Sequence, residues 1–307
     1  MALNRYGIEK FGQLRDVMVH RPDMSLPQIT EDNIEYFLFD AVPDVDRYLE
    51  EHERYCALLR EHGVSVHYLS DHVKRNRDLL TRLPNLAYMH DTAVISSHGA
   101  ILSKMASMGR RHEEIAVREA LTDLGVPILY EPCEGDSFEG CLLLSPQTVF
   151  VADTERHSRR AIERFITFIL RYFDEVIYAH IPQERRFMHP DMVLNRVTDT
   201  LMVYYPPAFL ETYHITGGGR REIDLLQWMK TRGIGLIPLS DREQRQWGSS
   251  FVPLKPGVII CYDISYGPET RARLEGEGVE LVPFHPEALL AGGGSLRCLT
   301  MRLYRGG

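Results

Sequence analysis

Long apolar runs are absent from the 307-residue sequence. No window approaches the run of about 20 apolar residues that a membrane helix needs. The first residues, Met1 to Gly12, also lack an apolar core of signal-peptide length. We therefore expect neither export nor a membrane partner, and we predict a cytoplasmic location.

Cysteine is scarce, and its spacing does not suit a structural role. The five cysteines are Cys56, Cys133, Cys141, Cys261 and Cys298. They form no CxxC pair, and an odd number of this kind disfavours a disulfide framework and a structural zinc site. We expect a reducing compartment, no metal and no cofactor.

Positive charge is also in short supply, since 35 Lys and Arg face 43 Asp and Glu. The net charge of -8 argues against a nucleic-acid partner or a membrane surface, and it is compatible with a cationic small ligand. The sequence has no linker rich in Pro, Gly and Ser and no low-complexity run. A single domain over residues 1–307 is therefore predicted.

One local pattern, a helix that ends just before a new strand, recurs five times. The joins lie at Gly63, Gly125, Asp174, Gly233 and Gly278, at intervals of 62, 49, 59 and 45 residues. Paired short strands are predicted between helices, at 142–145 with 148–152 and at 192–197 with 201–205. Five such units favour an α/β ring around a central channel; the alternative is a layered α/β domain with ordinary helix caps.

The first unit contains a predicted strand at 16–20, an amphipathic helix from about Pro43 to His62 and a strand at 64–69. In the helix, Leu49, His52, Cys56 and Leu59 share one face with Val45. This spacing predicts that Cys56 is a core residue and is not reactive. The join at Asp174, third in chain order, is preceded by a predicted helix at 158–173.

The stretch from Gly292 to Leu303 combines three glycines, a cysteine and an alternating apolar pattern. Glycine lacks a Cβ, so the backbone N–H groups of this turn can approach a ligand closely. A period of two predicts a strand in which the Cys298 thiol faces solvent or a channel. Amide dipoles are expected to lower the pKa of the thiol and favour a nucleophile; the alternative is a small buried hydrophobe.

The stretch His189-Pro190-Asp191 brings an imidazole close to a carboxylate. Proline disfavours the helical conformation of the preceding residue, so His189 is predicted to be extended. In extended chain, the side chains of His189 and Asp191 project to the same side. The pair suits a general acid/base, while the alternative is a salt-linked surface histidine in a chain with 13 His.

Further acidic residues stand next to predicted strands. Asp91 precedes a strand predicted at 92–96, where it is either an exposed ligand or a turn residue. Glu134, Asp136 and Glu139 surround two glycines. This segment is either a solvated loop or the source of a carboxylate partner for a histidine.

Two arginines are candidate clamps for a substrate carboxylate. Arg110, with Arg111, follows the segment 105–109, and Arg156 precedes a predicted helix. A guanidinium group binds a carboxylate with two parallel hydrogen bonds. The alternative is that both are ordinary surface arginines. The turn Gly217-Gly218-Gly219-Arg220 does not have the glycine spacing of a phosphate-binding loop, so no phosphate site is predicted there.

A longer set of segments occurs in a recognisable order. The segments are Arg21-Pro22, Leu38-Phe39-Asp40, Leu83-Pro84-Asn85 through Asp91, Met105-Ala106 through Arg110 and Glu113, Glu155-Arg156-His157-Ser158, Met188-His189 with Asp191, and the glycine-rich turn before Cys298. This order resembles the arginine deiminase family of the guanidino-modifying, or pentein, superfamily over nearly the whole chain. The resemblance implies a five-bladed pseudo-symmetric α/β propeller, the pentein fold, built of ββαβ units around a channel. It also implies a compact form without the helical insertion of full-length arginine deiminases.

The resemblance assigns a role to each candidate residue. It makes Cys298 the nucleophile, His189 the general acid/base, and Asp91 and Asp191 the carboxylates that hold a guanidinium group. It makes Asn85, Arg110 and Arg156 ligands of the substrate α-carboxylate. Glu139 is taken as the support of His189, with Glu134 and Asp136 in reserve, because Glu139-Gly140-Cys141-Leu142 stands where a Glu-Gly-Gly-Asp run is expected.

The implied function is a hydrolase that acts on the guanidino group of L-arginine or a close analogue. It would give citrulline and ammonia through an amidino intermediate on Cys298. The alternatives are an amidinotransferase, an ornithine-forming arginine dihydrolase and a non-catalytic pentein binding protein. The expected partner is a small guanidino substrate, and the sequence leaves a homodimer open.

Overall fold

Short strand pairs and single helices alternate along the chain, in a computed structural model that describes residues 2–306. The strands are β1 (Gln13–Val19), β2 (Ser65–Tyr68), β3 (Ala93–Ser96), β4 (Gly99–Leu102), β5 (Ile128–Tyr130), β6 (Leu142–Leu143), β7 (Thr148–Asp153), β8 (Glu175–His180), β9 (Leu194–Arg196), β10 (Leu201–Tyr204), β11 (Glu211–Thr216), β12 (Gly219–Glu222), β13 (Gly235–Pro238), β14 (Val252–Lys255), β15 (Val258–Tyr262), β16 (Glu280–Phe284) and β17 (Met301–Gly306). The helices are α1 (Val45–Glu61), α2 (Leu69–His72), α3 (Arg77–Arg82), α4 (Glu113–Asp123), α5 (Arg159–Ile169), α6 (Leu225–Thr231), α7 (Asp241–Arg245) and α8 (Pro268–Gly276).

Within the described residues, the strands form five small mixed sheets. Each sheet contains an antiparallel pair, then a helix, then a strand that returns parallel to the second strand of the pair. The units are β17-β1-α1-β2, β3-β4-α4-β5, β6-β7-α5-β8, β9-β10-α6-β13 and β14-β15-α8-β16. This is the predicted ββαβ repeat, and all five predicted helix-to-strand joins are present.

Glycine at these joins has a conformational cause. Gly63 and Gly278 end their helices at φ of +74° and +77°, a left-handed conformation that costs other residues a clash with Cβ. At the Asp174 join, α5 ends four residues earlier than predicted, and a turn that is not left-handed leads to β8. The chain therefore reverses direction without a glycine at this one join.

The helix of the first unit buries the face that its spacing predicts. In α1, Leu49, His52, Cys56 and Leu59 are buried, together with Tyr55. Cys56 has no exposed surface, and burial raises the pKa of its thiol to about 12. The prediction that Cys56 belongs to the core is confirmed.

The two ends of the chain meet in one sheet and close the ring. Strand β1 pairs antiparallel with β17, and Gly7 forms a further bridge with Tyr304. The backbone N–H of Gly7 donates to Leu303 O at 2.9 Å. One of the five sheets is thereby built from strands at opposite ends of the sequence.

One feature of the fold differs from the sequence-based predictions, and a second was not predicted. The last strand begins at Met301, so Cys298 precedes the strand and does not lie within it. The glycine run at 217–219 forms the tip of a hairpin between β11 and β12, which extends the sheet of the third blade beside β8. Among residues 2–306, every helix is too short or too polar to cross a bilayer.

Candidate active site

Loops from all around the ring converge on one pocket. The pocket is lined by Leu38, Asn85, Tyr88, Asp91, Arg110, Arg156, Arg185, Met188, His189, Met192, Trp247, Gly292, Gly293, Gly294 and Cys298. Six of the eight candidate site residues are among them, although they span more than 200 positions of sequence. The other two, Glu139 and Asp191, are buried directly behind the wall.

His189 is held between two carboxylates. Its Nε2 lies 2.8 Å from Glu139 Oε2, and its Nδ1 lies 3.4 Å from Asp91 Oδ1. Burial alone would lower its pKa, but the charge of Asp91 and the hydrogen bond and charge of Glu139 raise the pKa of His189 above its usual value. The imidazole is therefore poised as a cation that can donate a proton.

Glu139 is the supporting carboxylate among the three acidic candidates. Burial opposes its charge, yet the hydrogen bond from His189 and the nearby cations lower the pKa of Glu139 to about 2. Its other oxygen accepts the backbone N–H of Ala106 at 2.8 Å, which fixes the orientation of the carboxylate. Glu134 pairs with Lys104 at the surface, and Asp136 binds two arginines of α5 away from the pocket.

The geometry around Asp191 corrects the extended-chain prediction. His189 is extended, with φ of -129° and ψ of 152°, but Pro190–Met192 forms a 3-10 turn that rotates Asp191 away from the imidazole. Asp191 Oδ2 lies 3.0 Å from Arg297 Nε, 3.2 Å from Ser250 Oγ and 3.6 Å from His90 Nε2. His189 consequently takes its carboxylate partners from other blades.

Cys298 lies in a single helical turn, and this corrects the predicted strand. Residues 296–299 form the turn, and the N–H of Leu299 donates to Ser295 O at 3.3 Å. The carbonyl of Cys298 accepts the N–H of His90 at 2.9 Å, so the nucleophile turn is tied to the segment that carries Asp91. The side chain faces the pocket and is only 7% exposed.

The expected lowering of the thiol pKa is wrong for the protein in this structure. Burial raises the pKa of Cys298 to about 12, and the charges of Asp91 and Asp191 add to the rise. Ser295 Oγ, 3.4 Å from Sγ, acts in the opposite direction but does not outweigh them. A cation between the two carboxylates would offset the part of this rise that comes from their charges.

The glycines before Cys298 make room for neighbouring side chains. A Cβ on Gly292 would overlap the hydroxyl of Tyr88, and a Cβ on Gly294 would lie 2.5 Å from a carbon of the same ring. A Cβ on Gly293 would lie 2.5 Å from a carboxylate oxygen of Asp40. The turn therefore needs glycine because Tyr88 and Asp40 pack closely against it. The sequence-based prediction explained the glycines by contact with a ligand.

Arg110 is committed to carboxylates of the protein itself. Its Nη1 donates to Asp91 Oδ2 at 2.9 Å, and its Nε and Nη2 donate to Glu113, which is fully buried. Burial raises the pKa of Glu113 to about 7, even though Arg110 lowers it. Arg110 thus orients Asp91, and sequence reasoning gave no role to Glu113 although it lies three residues away on the chain.

Arg185 lies at the mouth of the pocket, and it is not among the residues that the sequence predicted for the site. Arg185 Nη2 lies 2.9 Å from Asp40 Oδ1 and donates to Leu38 O at 2.6 Å. Asn85 Nδ2 holds the same segment by donating to Phe37 O at 2.7 Å. Leu38 has a positive φ of 61°, a strained conformation of the kind that occurs at binding sites.

Arg156 keeps most of its guanidinium available. Its Nε lies 3.0 Å from Glu155 Oε1, and the side chain is 8% exposed on the pocket wall.

Over residues 2–306, no group of three or more His, Cys, Asp or Glu side chains is arranged to hold a metal ion. The arrangement offers a thiol, an acid/base and carboxylates for a cation, which is a set suited to covalent chemistry on a guanidino carbon.

Comparison with known families connects this site to a chemistry. A model of the arginine deiminase family matches residues 35–78 and 71–305. The arginine deiminase of Mycoplasma capricolum is 24% identical over 388 aligned positions, which span 96% of each chain. An alignment longer than this 307-residue chain requires insertions in the relative, and the family match breaks at 71–78, after β2. The prediction of a compact form is confirmed.

Solved structures share the architecture. The N-terminal domain of ArgZ, an arginine dihydrolase from cyanobacteria solved with its product, superposes with a TM-score of 0.72 at 17% identity, over 94% of this chain and 96% of that domain. AgrE in complex with L-arginine gives a TM-score of 0.72 at 18% identity, over 94% of this chain. This chain spans only 40% of AgrE. These likenesses confirm the predicted pentein fold.

Proposed function

The chain belongs to the arginine deiminase family of guanidino hydrolases, and we propose that it hydrolyses the guanidino group of L-arginine or a close analogue through a covalent intermediate on Cys298. The observation that carries the proposal is the imidazole of His189, clamped by Glu139 at 2.8 Å and Asp91 at 3.4 Å in the pocket that Cys298 lines. A cationic acid beside a buried thiol and two carboxylates is suited to a cationic electrophile.

Asp91 and Asp191 would hold the guanidinium group of the substrate. Asp91 Oδ1 is buried and accepts no hydrogen bond from the described residues, while its Oδ2 is fixed by Arg110. A buried acceptor without a hydrogen bond is costly, and Nδ1 of His189 lies 3.4 Å away, so a substrate N–H at this oxygen would be favoured. The cation would also offset the two negative charges that raise the pKa of Cys298.

The first half-reaction follows from these positions. The thiol of Cys298 gives up its proton to solvent as the guanidinium approaches, and Sγ attacks the guanidino carbon. His189 donates its proton to the departing nitrogen, the C–N bond breaks, and ammonia leaves. An amidino group remains attached to Sγ as an S-alkyl thiouronium.

The second half-reaction reuses the same acid/base. Neutral His189 removes a proton from a water molecule, which adds to the thiouronium carbon. The C–S bond then breaks, the hydroxyl proton of the adduct passes to the departing sulfur, and the ureido product leaves with the thiol of Cys298 regenerated. The imidazolium returns to the state in which Glu139 and Asp91 stabilise it.

Recognition of an α-carboxylate is assigned to the mouth of the pocket. Arg156 and Arg185 both line it, and Asn85 lies beside them. The family resemblance also assigned Arg110 to the substrate α-carboxylate, but the guanidinium of Arg110 already donates to Asp91 and Glu113. Arg156 and Arg185 are therefore the arginines best placed for a bidentate contact.

A second candidate reaction is the dihydrolase reaction, in which the amidino group is removed completely and ornithine forms. The chain matches the N-terminal domain of ArgZ over nearly the full length of both. Amidino transfer to an amine would also release ornithine, but only in the presence of an acceptor. A non-catalytic binding protein would bind the ligand and form none of these products.

Product analysis separates these reactions. The purified protein is incubated with L-arginine, without and with an amine acceptor such as glycine, and products are identified by mass spectrometry. Citrulline with one ammonia per arginine supports the proposal, and ornithine with two supports the dihydrolase. Agmatine is run in parallel, because turnover of agmatine in preference to arginine would contradict the assignment of the carboxylate site.

The matched control is Cys298→Ser, which keeps the size and hydrogen bonding of the side chain. It should bind L-arginine and form no product. If neither protein forms product while both bind L-arginine, the chain is a binding protein. Product from Cys298→Ser equal to that of the wild type would eliminate the covalent mechanism.

A further inference from the structure

A second cavity lies on the other side of Arg297 from the active site. It is lined by Ile8, Phe11, Leu142, Leu143, Leu144, Asn195 and four arginines, Arg196, Arg297, Arg302 and Arg305. Among the described residues, no carboxylate lines it. Four guanidinium groups around one buried space are unusual, because like charges in a low dielectric repel each other strongly.

Two of the arginines are anchored mainly by backbone carbonyls. Arg305 donates to Gly12 O at 2.9 Å and to Pro253 O. Arg196 donates to Glu9 O at 3.0 Å and to Leu143 O at 3.2 Å. Both guanidinium groups also face the ring of Phe11, at 4.5 Å for Arg196 and 4.9 Å for Arg305. These contacts fix the positions of the cations but do not neutralise them.

Carboxylates compensate for only part of the charge. Arg297 Nε lies 3.0 Å from Asp191, and Arg196 Nη2 lies 2.7 Å from Asp199. Asp191 belongs to the active site, and the Asp199 side chain is 68% exposed. Four positive charges therefore meet one buried carboxylate and one solvated carboxylate.

Arg302 is the member of the cluster without a partner. It makes no hydrogen bond or ion pair within residues 2–306, and its Nε is buried. The Nε of Arg196, a side chain that is 6% exposed, is likewise buried without an acceptor. Burial, followed by repulsion from Arg297 and Arg305, lowers the pKa of Arg302. Arg302 as a whole is partly buried, and because a guanidinium stays protonated in proteins, its charge favours an anion at the cluster.

The size of the cavity selects the kind of anion. Its volume is about 20 Å³. A cavity needs roughly 10–15 Å³ to hold one water molecule or an ion of similar size. This cavity therefore has room for one small ion and is too small for phosphate or sulfate. We propose that the arginine cluster of Arg196, Arg297, Arg302 and Arg305 binds a monovalent anion of the size of chloride inside the ring.

The cavity borders a wide surface groove. The groove is lined by Gly12, Gln13, Lys255 and Tyr304 and by the carboxylates Glu9 and Asp199, and Phe11 and Arg305 line both spaces. Only these two side chains belong to both spaces. The groove and the substrate pocket have no lining residue in common, and the site does not depend on the proposed reaction.

Anomalous diffraction tests the site on the wild-type protein. Crystals are soaked in sodium bromide, and data are collected at the bromine absorption edge. A bromide peak within contact distance of the Arg302 and Arg196 guanidinium groups is expected. Crystals that show bromide on the surface but only water in the arginine cluster would overturn the proposal.

Thermal unfolding in two sodium salts of matched ionic strength gives a solution test. Sodium chloride should raise the Tm above its value in sodium gluconate, whose anion is too large for the cavity, by about 3 °C per tenfold increase beyond the dissociation constant. An equal Tm in both salts at every concentration would contradict the proposal. A Tm rise with phosphate but not with chloride would contradict the assignment of a monovalent anion.

Arg302→Gln removes the unpaired charge and keeps much of the side-chain volume. It should unfold at the same temperature in chloride and gluconate, whereas the control Arg159→Gln, at a side chain that is 81% exposed, should keep the difference. A chloride effect that survives in Arg302→Gln would overturn the assignment of this residue. If the variant does not fold, the bromide experiment on the wild type decides the question.

Discussion

At the residue scale, Glu139 controls the proton of His189. Glu139→Gln keeps an acceptor for the N–H of Ala106 but removes the negative charge 2.8 Å from Nε2. Since that charge raises the pKa of His189, its removal lowers the pKa. The alkaline limb of the kcat profile, where the imidazolium loses its proton, should move to lower pH, and kcat at neutral pH should fall about 100-fold.

The matched control for this prediction is Glu134→Gln. Glu134 was an alternative from sequence, but its side chain is 97% exposed and pairs with Lys104. This variant should keep the kcat and the pH profile of the wild type. A shift in the profile of Glu134→Gln, or an unshifted profile in Glu139→Gln, would refute the assignment of the supporting carboxylate.

The reactivity of Cys298 should depend on the charge of the reagent. Because burial, Asp91 and Asp191 raise its pKa to about 12, little thiolate exists at neutral pH, and neutral iodoacetamide should react roughly 10²–10³-fold more slowly than with an ordinary thiol. The cationic reagent 2-chloroacetamidine compensates for the two carboxylates and should reverse this order. Peptide-resolved mass spectrometry measures both rates.

Cys133 is the internal reference for this measurement, since it is the exposed cysteine outside the pocket. Its labelling by the two reagents should not favour the cation. Rapid labelling of Cys298 by iodoacetamide at pH 7, at the rate of Cys133, would mean that its thiol is already ionised and that the two carboxylates do not control it.

At the scale of the element, the glycine-rich turn depends on Tyr88. Gly294→Ala would place a Cβ 2.5 Å from the Tyr88 ring, which is 6% exposed and cannot move freely. The turn carrying Cys298 should shift, with a loss of about 1–3 kcal/mol in the free energy of unfolding. The kcat/KM should fall about 100-fold, because catalysis is sensitive to displacements near 1 Å.

Gly276→Ala is the control for this substitution. Gly276 ends α8, and a Cβ there has no neighbour within 4 Å. Since alanine favours a helix by about 1 kcal/mol over glycine, this variant should be as stable as the wild type or more stable. Urea unfolding and steady-state kinetics compare the two variants. If Gly294→Ala matched Gly276→Ala in stability and in kcat/KM, the steric contact with Tyr88 would be unimportant.

The same turn marks the limit of what the sequence could predict. The five helix-to-strand joins and the buried face of α1 are local patterns, so they were predicted at nearly the right positions. The period of two from Cys298 to Leu303 is also local, yet residues 296–299 form a turn and not a strand. Tyr88 and His90, about 200 residues earlier, contact this segment and hold it. Such a contact leaves no signal in the neighbouring residues.

The site was predictable to the extent that it resembled a known order of residues. Residue types and order identified His189, Cys298 and the carboxylates, and the structure brings all of them to one pocket or its wall. The ion pairs within the site were not predictable from the sequence. Asp191 pairs with Arg297, and Arg110 pairs with Glu113. A buried charge needs a nearby opposite charge, and only the folded structure shows which residues are buried together.

At the scale of the whole molecule, the predicted single domain depends on how the ring closes. Strand β17 pairs with β1, and Gly7 joins the same sheet through Tyr304, so both chain ends stabilise one blade. In a ring, the loss of this blade exposes the edges of both neighbouring blades. Deletion of residues 301–307 should therefore abolish the cooperative unfolding transition of the entire chain, as followed by urea denaturation and limited proteolysis.

A layered α/β domain, the alternative that the sequence left open, would respond differently. Removal of one terminal strand would then weaken a single edge, and most of the transition would persist at lower urea concentration. As a control, four residues inserted between Gly217 and Gly218 lengthen an exposed hairpin tip where no atom lies within 4 Å of a Cβ on Gly217. Insertions at such tips are tolerated, so this variant should unfold like the wild type. A truncated chain that keeps a cooperative transition would contradict the ring as the unit of folding, since its stability would then reside in independent blades.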